Sequence, residues 1–259
     1  MNVQSYIEVI KSISEIKPKI GIVLGSGLGD FVKQIRKKCF IKYNSIPKFP
    51  VSTVKGHEGQ FILGYINEIP IICAQGRFHL YEGYDFDSTA LPIDIFKLLG
   101  CNTAIITNAA GCMNQNWELG SLMLITKCID FTFQNSSDPK IYFDKNNLVN
   151  EKTNKIIDCL SNSYPINKGT YSWVLGPTYE TPSEIKKIKS FGGDVVGMST
   201  MPEIIKAKEY NMNVIGLSCI SNYASGISPN PLTHQDVLDE VNKSKNIFTN
   251  LLLDIIKFI

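Results

Sequence analysis

Histidine is scarce, no two cysteines stand at the close spacing of a metal-binding pair, and no apolar run is long. The three histidines, His57, His79 and His234, stand at none of the spacings of a tetrahedral zinc site, and the seven cysteines include no C-x-x-C pair. A structural metal is therefore not expected. Cys73, Cys101, Cys128 and Cys219 lie in or beside apolar runs and read as small buried hydrophobes. No stretch approaches the roughly 20 apolar residues of a membrane span, and no charged start leads into an apolar signal core. The expected compartment is the cytoplasm. Charge of one sign is also missing: 26 basic against 24 acidic residues leave a net charge of +2, so neither nucleic acid nor an anionic membrane is an expected partner. There is no internal repeat, and one domain over residues 1–259 is the simplest organisation, with a hydrophobic fraction of 44% to fill its core.

Short apolar runs alternate with amphipathic stretches, the pattern of a layered α/β fold. Strands are predicted at 20–24, 61–66, 69–74, 103–107, 122–125, 171–175, 195–197 and 214–218. Helices are predicted at 88–99, closed by Gly100, at 182–190, at 202–210 and from Val237 to the end, with Thr233 as a possible cap. Residues 135–168, rich in Asn, Ser, Lys and Asp, read as a long loop or a domain boundary.

Two features carry chemistry. The stretch G-R-F-H-L-Y-E-G-Y, 76–84, leaves an apolar strand; in an extended chain Arg77, His79 and Tyr81 share one face, and Phe78 and Leu80 the other. The loop G-S-G-L-G, 25–29, follows the first strand. It has Asp30 where a dinucleotide fingerprint needs a third glycine, no Gly-Lys-Ser/Thr ending, and leucines where a nucleophile elbow around Ser26 needs glycines. What remains is a backbone and a Ser26 hydroxyl that can meet a small anion. Arg77 and His79 strengthen that reading, since a small anion such as phosphate is well held by a guanidinium, a hydroxyl and an imidazole. A second glycine loop, T-N-A-A-G at 107–111, and Ser199 at another strand end can add donors.

These residues, together with K-G-H-E-G, G-P-T-Y-E-T-P-S-E, V-G-M-S-T-M-P-E and S-N-Y-A-S-G-I-S in order along the chain, resemble the trimeric purine nucleoside phosphorylases, a family that includes the methylthioadenosine phosphorylases. The resemblance implies a single-domain layered α/β fold with a central mixed β-sheet flanked by helices. It also implies a homotrimer, reversible phosphorolysis of a purine nucleoside to base and ribose 1-phosphate, and no cofactor or metal, inorganic phosphate being a co-substrate. By the same resemblance Ser26, His57, Arg77, His79, the backbone of Ala109 and Ser199 meet phosphate. Tyr81, Met198 and His234 meet the sugar, Tyr179, Glu180 and Asn222 the base, and Phe143 is the aromatic lent across a trimer interface. His79, Glu180 and Asn222 are the expected catalytic residues.

The chemistry suits the roles. Glycosidic cleavage places positive charge on the sugar and negative charge on the purine, and preorganised partners for both lower the barrier. Glu180 can accept from N1–H of a 6-oxopurine and Asn222 can donate to N7 or O6; adenine lacks N1–H, so inosine and guanosine are the expected substrates. Two departures stand out: Cys112 replaces a second glycine after T-N-A-A-G, an expected strain if that position needs a positive φ, and Ser221 replaces a commoner threonine. Methylthioadenosine or methylthioinosine as substrate, or nucleoside binding without turnover, are the rival expectations.

Overall fold

The computed structural model describes residues 3–54, 57–134, 136–143, 148–227 and 234–259, the side chain of His234 excepted. The chain divides into two compact units, Met1–Thr107 with Pro202–Val214, and Asn108–Met201 with Ile215–Ile259.

The first unit holds α1 (Val3–Ile13), β1 (Ile20–Leu24), β2 (Arg36–Lys42), β3 (Gln60–Ile66), β4 (Ile69–Gln75), α2 (Phe86–Leu99) and the first half of β5 (Thr103–Cys112). Its strands run in the order β5-β1-β4-β3-β2, with β1 parallel to both β4 and β5 and the remaining pairs antiparallel. Every residue of β1 is buried, as a parallel strand covered on both faces requires. β3 and β4 form a hairpin closed by Asn67 and Glu68, both at positive φ, the backbone of a tight two-residue turn. Asp85 accepts from the Ser88 N–H at 2.7 Å to start α2, and Gly100 ends it in the left-handed region at φ 103°. Gly21 is required by close approach: a Cβ there would lie 2.1 Å from Cδ2 of Phe96. Gly21→Ala is therefore expected to destabilise the protein by about 1–3 kcal/mol or more, read as a lowered urea midpoint.

The second unit contains the end of β5, β6 (Leu122–Asp130), β7 (Lys140–Phe143), α3 (Glu151–Leu160), β8 (Ile166–Trp173), α4 (Pro182–Ser190), β9 (Val195–Gly197), most of β10 (Asn213–Tyr223) and α6 (His234–Phe258). Its strand order is β10-β6-β8-β9-β5, with β7 paired to β6. β6, β8 and β9 are mutually parallel neighbours, while β10, β7 and β5 pair antiparallel, so the sheet is mixed. Met113, Ile129, Phe131, Ile185, Ile188 and Val196 form a core cluster on the inner face of α4. Thr181 caps α4 in a reciprocal box with Glu184, and Pro182 occupies the first turn. The remaining helix, α5 (Met201–Glu209), lies almost wholly in the first unit. No helix among the described residues is long and apolar enough to cross a membrane. The four cysteines read as hydrophobes are buried, and burial pushes the Cys101 and Cys219 thiols up to about 12.

Several expectations need correction. T-N-A-A-G is strand, because β5 continues through Cys112, which pairs with Val195 of β9. Cys112 is buried and is not at positive φ, so the expected loop strain does not arise. Gly111 lies close to the base-site candidate instead: a Cβ there would sit 3.1 Å from Asn222 Nδ2, a tight approach. The supposed loop at 135–168 carries β7, α3 and the start of β8; Asn150 caps α3 by accepting from the Thr153 N–H at 2.7 Å. Strand 171–175 begins earlier, at Ile166, and the last helix starts at His234 rather than Val237. Thr233 lies outside the described residues.

Candidate active site

In the first unit the polar residues gather where β1 and β4 end. The glycine loop leaves β1 with Gly27 at φ 76° and is pinned by Gly25 N–H donating to Thr107 Oγ1 at 3.2 Å. Beyond β4, Gly76 at φ 126° begins the Arg77 segment, and Tyr43 donates to its carbonyl at 3.0 Å. Phe78 is buried against Tyr43, Phe49 and Tyr84, which fixes the polar side of the segment opposite. The extended backbone lasts only through His79. A single turn of 3-10 helix, Leu80–Glu82, then ends the predicted alternation, yet it brings Tyr81 to His79 all the same, with the two rings stacked at 4.7 Å.

Each basic group here has a built partner. Arg77 is 1% exposed and its Nε donates to Glu203 Oε1 at 3.1 Å. The Arg77 backbone N–H donates to His57 Nδ1 at 2.9 Å, so the ring proton of neutral His57 belongs on Nε2, from which it reaches Ser26 Oγ at 3.2 Å. That bond leaves the Ser26 hydroxyl hydrogen for an anion. His79 Nδ1 lies 2.9 Å from Glu82 Oε1, and burial lowers the pKa of His79 against the opposing pull of Glu82. Neutral His79 thus donates from Nδ1 and presents an unprotonated Nε2. Burial opposes ionisation of Glu82, but hydrogen bonds from His79 and from the Thr53 N–H and hydroxyl prevail and hold its carboxyl down to about 2.

The second unit gathers another set. A cavity of about 360 Å³, within the usual size of small-molecule sites, is lined by Phe131, Phe133, Val174, Tyr179, Glu180 and neighbours on α4. Burial raises the Glu180 pKa above the ordinary carboxylate value, with Glu184 adding to the rise. Asn222, near the end of β10, is buried. Its Oδ1 accepts from Ser221 Oγ at 2.8 Å and its Nδ2 donates to the Tyr223 carbonyl at 3.1 Å, which fixes the amide and leaves it one further N–H. Tyr171 clamps Ser199 through the backbone, donating to its carbonyl at 2.9 Å and accepting from its N–H at 3.3 Å. Met198 precedes Ser199 just beyond β9, half-buried. Ala109 lies within β5, and Phe143 ends β7, also half-buried. The backbone of His234 begins α6, and its side chain lies outside the described residues.

Thus Ser26, His57, Arg77, His79 and Tyr81 belong to one unit, and Ala109, Phe143, Tyr179, Glu180, Met198, Ser199, Asn222 and His234 to the other. Sequence reasoning missed four partners: Glu203 on Arg77, Glu82 on His79, Thr200 beside Ser199, and Asn108 on Thr200. All four stood inside the quoted blocks, and their signal was a polar residue in an apolar setting.

The model of the phosphorylase superfamily matches residues 19–257. Purine nucleoside phosphorylase 1 of Bacillus subtilis is 42% identical over 252 residues, 92% of each chain, and that of Geobacillus stearothermophilus is 39% identical over 96% of this chain and 94% of its own. Among solved structures, the Schistosoma mansoni purine nucleoside phosphorylase in complex with adenosine matches with a TM-score of 0.89 at 30% identity, over 99% of this chain and 96% of that one. A Schistosoma purine nucleoside phosphorylase in complex with guanosine matches with a TM-score of 0.87 at 30% identity. The chain belongs to the phosphorylase superfamily, in its purine nucleoside phosphorylase branch.

Proposed function

We propose that this chain catalyses the reversible phosphorolysis of 6-oxopurine ribo- and deoxyribonucleosides, inosine and guanosine foremost, to free base and pentose 1-phosphate. It is a pentosyltransferase of purine salvage, acting as a homotrimer in the cytoplasm and using inorganic phosphate without cofactor or metal. The observation that carries this reading is the set Arg77, His79, His57 and Ser26, a buried cation and three oriented polar groups around the ends of β1 and β4.

Phosphate is taken as the dianion. Arg77 supplies charge, the Ser26 and Ser199 hydroxyls and the Ala109 N–H donate, and His79 Nε2 accepts from the single P–O–H. The bound anion stabilises the sugar cation as the glycosidic bond lengthens, then forms the new C–O bond at the anomeric carbon. Electrons of the broken bond pass into the purine. Asn222 meets that charge at N7 or O6, and Glu180 holds N1–H. Tyr179 packs on the ring, while Tyr81, Met198 and His234 hold the sugar and Phe143 closes it from a neighbouring copy.

Glu180 must be ionised to accept from N1–H. Because burial raises its pKa, the acid limb of kcat/KM for inosine is expected to lie above the ordinary glutamate value, with efficiency falling as pH drops through it. Glu180→Gln should be slow and lack that limb; an unchanged limb in the variant would remove Glu180 from the base site. The function itself is tested by comparing base release from inosine, guanosine, adenosine and methylthioadenosine with and without phosphate. Rapid phosphate-dependent release from the 6-oxopurines is expected. Preference for methylthioadenosine would refute the assigned specificity, and inosine binding without base release would refute turnover.

A further inference from the structure

Tyr171 is fully buried, and its hydroxyl meets the backbone of Ser199 twice, donating to the carbonyl at 2.9 Å and accepting from the N–H at 3.3 Å. A carbonyl can only accept and an amide N–H can only donate, so the direction of both bonds is fixed by chemistry. The chain turns sharply just beyond. Thr200 has φ 76°, a conformation that a β-branched residue adopts only under strain, and the Met201 N–H closes the turn on the same Ser199 carbonyl at 2.8 Å. Strain of this kind persists only where the surroundings over-determine the backbone. The sequence also keeps room for the phenol. Tyr171 stands opposite Val195 across the parallel β8–β9 ladder, and its side chain runs along the strand past Gly197 to Ser199. Gly197 ends β9 and is not among the glycines at positive φ, so its backbone does not demand glycine. Space does: a Cβ there would lie 2.5 Å from Tyr171 Oη and 3.2 Å from Cε2 and Cζ.

We infer that Tyr171 is a positioning residue that sets where Ser199 presents its side chain to phosphate, and that Gly197 makes the space for it; the inference rests on the phosphate role proposed for Ser199. The N–H that Tyr171 holds belongs to the peptide before Ser199, and the carbonyl to the peptide after it. Each peptide is a plane, so pinning both planes fixes the Cα between them and the direction of its Cβ. One phenol thus sets the direction of the serine side chain, and it holds the strained turn in place from its first residue. A group placed before the anion arrives needs no reorientation when the charge comes, whereas a misplacement of about 1 Å is costly.

The test measures the phosphate KM in inosine phosphorolysis, and the dissociation constant of hypoxanthine, for Ser199→Ala, Tyr171→Phe, Gly197→Ala and two double variants. Ser199→Ala and Tyr171→Phe should each raise the phosphate KM roughly 10-fold, the low end of what losing a hydrogen bond to a charged group costs. Hypoxanthine binding should change less than about 2-fold in both, because Glu180 and Asn222 are untouched. Tyr171→Phe/Ser199→Ala should match Ser199→Ala alone, since Tyr171 acts only through that residue. Gly197→Ala should copy Tyr171→Phe, because its Cβ displaces the hydroxyl, and should add less than about 2-fold when that hydroxyl is already gone. A phosphate KM that Ser199→Ala raises and Tyr171→Phe does not would overturn the inference and leave the role of Ser199 intact. So would effects that multiply in Tyr171→Phe/Ser199→Ala, or a Tyr171→Phe variant that weakens hypoxanthine as much as phosphate, the mark of a general packing role. A phosphate KM unmoved by Ser199→Ala would instead remove Ser199 from the phosphate site, and the inference with it. If Gly197→Ala does not fold, Tyr171→Phe and its double with Ser199→Ala decide.

Discussion

Arg77→Ala is expected to lower kcat/KM for phosphate by at least about 100-fold and, separately, to cost stability on the order of 3–5 kcal/mol. The first effect follows from the chemistry proposed here, in which the guanidinium is the principal positive charge for a phosphate dianion. The second follows from burial: Arg77 and Glu203 are 1% and 2% exposed and meet at 3.1 Å, so removing one strands the other's charge out of water. The two effects can be separated. Arg77→Met/Glu203→Leu removes both charges with apolar groups of similar size and should recover much of the lost stability, seen in urea unfolding, while phosphate use stays lost. Arg77→Lys should not restore activity, since an ammonium cannot reproduce a fork that serves Glu203 and an anion together. Recovery of phosphorolysis in the double variant would show that Arg77 is a structural partner of Glu203 and nothing more.

The second large effect belongs to Asn222. Asn222→Ala should reduce kcat for inosine about 100-fold with the phosphate KM changed less than about 3-fold, because the lost N–H acts on charge that develops in the purine. Asn222→Asp tests the specificity argument. A carboxylate accepts where the amide donates, so it repels O6 of hypoxanthine and attracts the 6-amino group of adenine. The ratio of inosine to adenosine kcat/KM should fall by a factor of about 100 or more, measured by base release from each nucleoside. Ser221 supports this position: its hydroxyl on Asn222 Oδ1 sets which end of the amide faces outward.

Parts of the fold were legible because a local physical signal fixed them. The all-apolar β1 and the short buried β9 have their predicted bounds, as does α4, which Thr181, Pro182 and Glu184 start unmistakably. What stayed hidden lacked such a signal. β2 is a basic edge strand with one buried residue, Ile41, and β7 is an edge strand with none, so neither shows an apolar alternation. α3 buries only Thr153, Ile157 and Leu160, too little to stand out in an Asn- and Lys-rich stretch. β5 outran its prediction because the small residues of T-N-A-A-G read as a turn, whereas Gly111 and Cys112 pair with Val196 and Val195 of β9, a contact distant in sequence.

In the site, resemblance supplied the residues assigned to substrate but not those that hold them in place. Glu203 reaches Arg77 across 126 positions and Asn108 reaches Thr200 across 92, distances over which no spacing rule operates. The local pair His79 and Glu82 was in plain view, three residues apart, yet its meaning depends on a turn where the sequence suggested a continuing strand.

The most direct test of phosphorolysis as the activity is to follow inosine and orthophosphate with the enzyme by phosphorus NMR while measuring hypoxanthine. The assignments made here predict a ribose 1-phosphate signal that grows in step with hypoxanthine as orthophosphate declines, and that reverses when excess hypoxanthine is added. Hypoxanthine released with free ribose and no consumption of phosphate would contradict them, because the Arg77, His79 and Ser26 set would then not be holding the nucleophile.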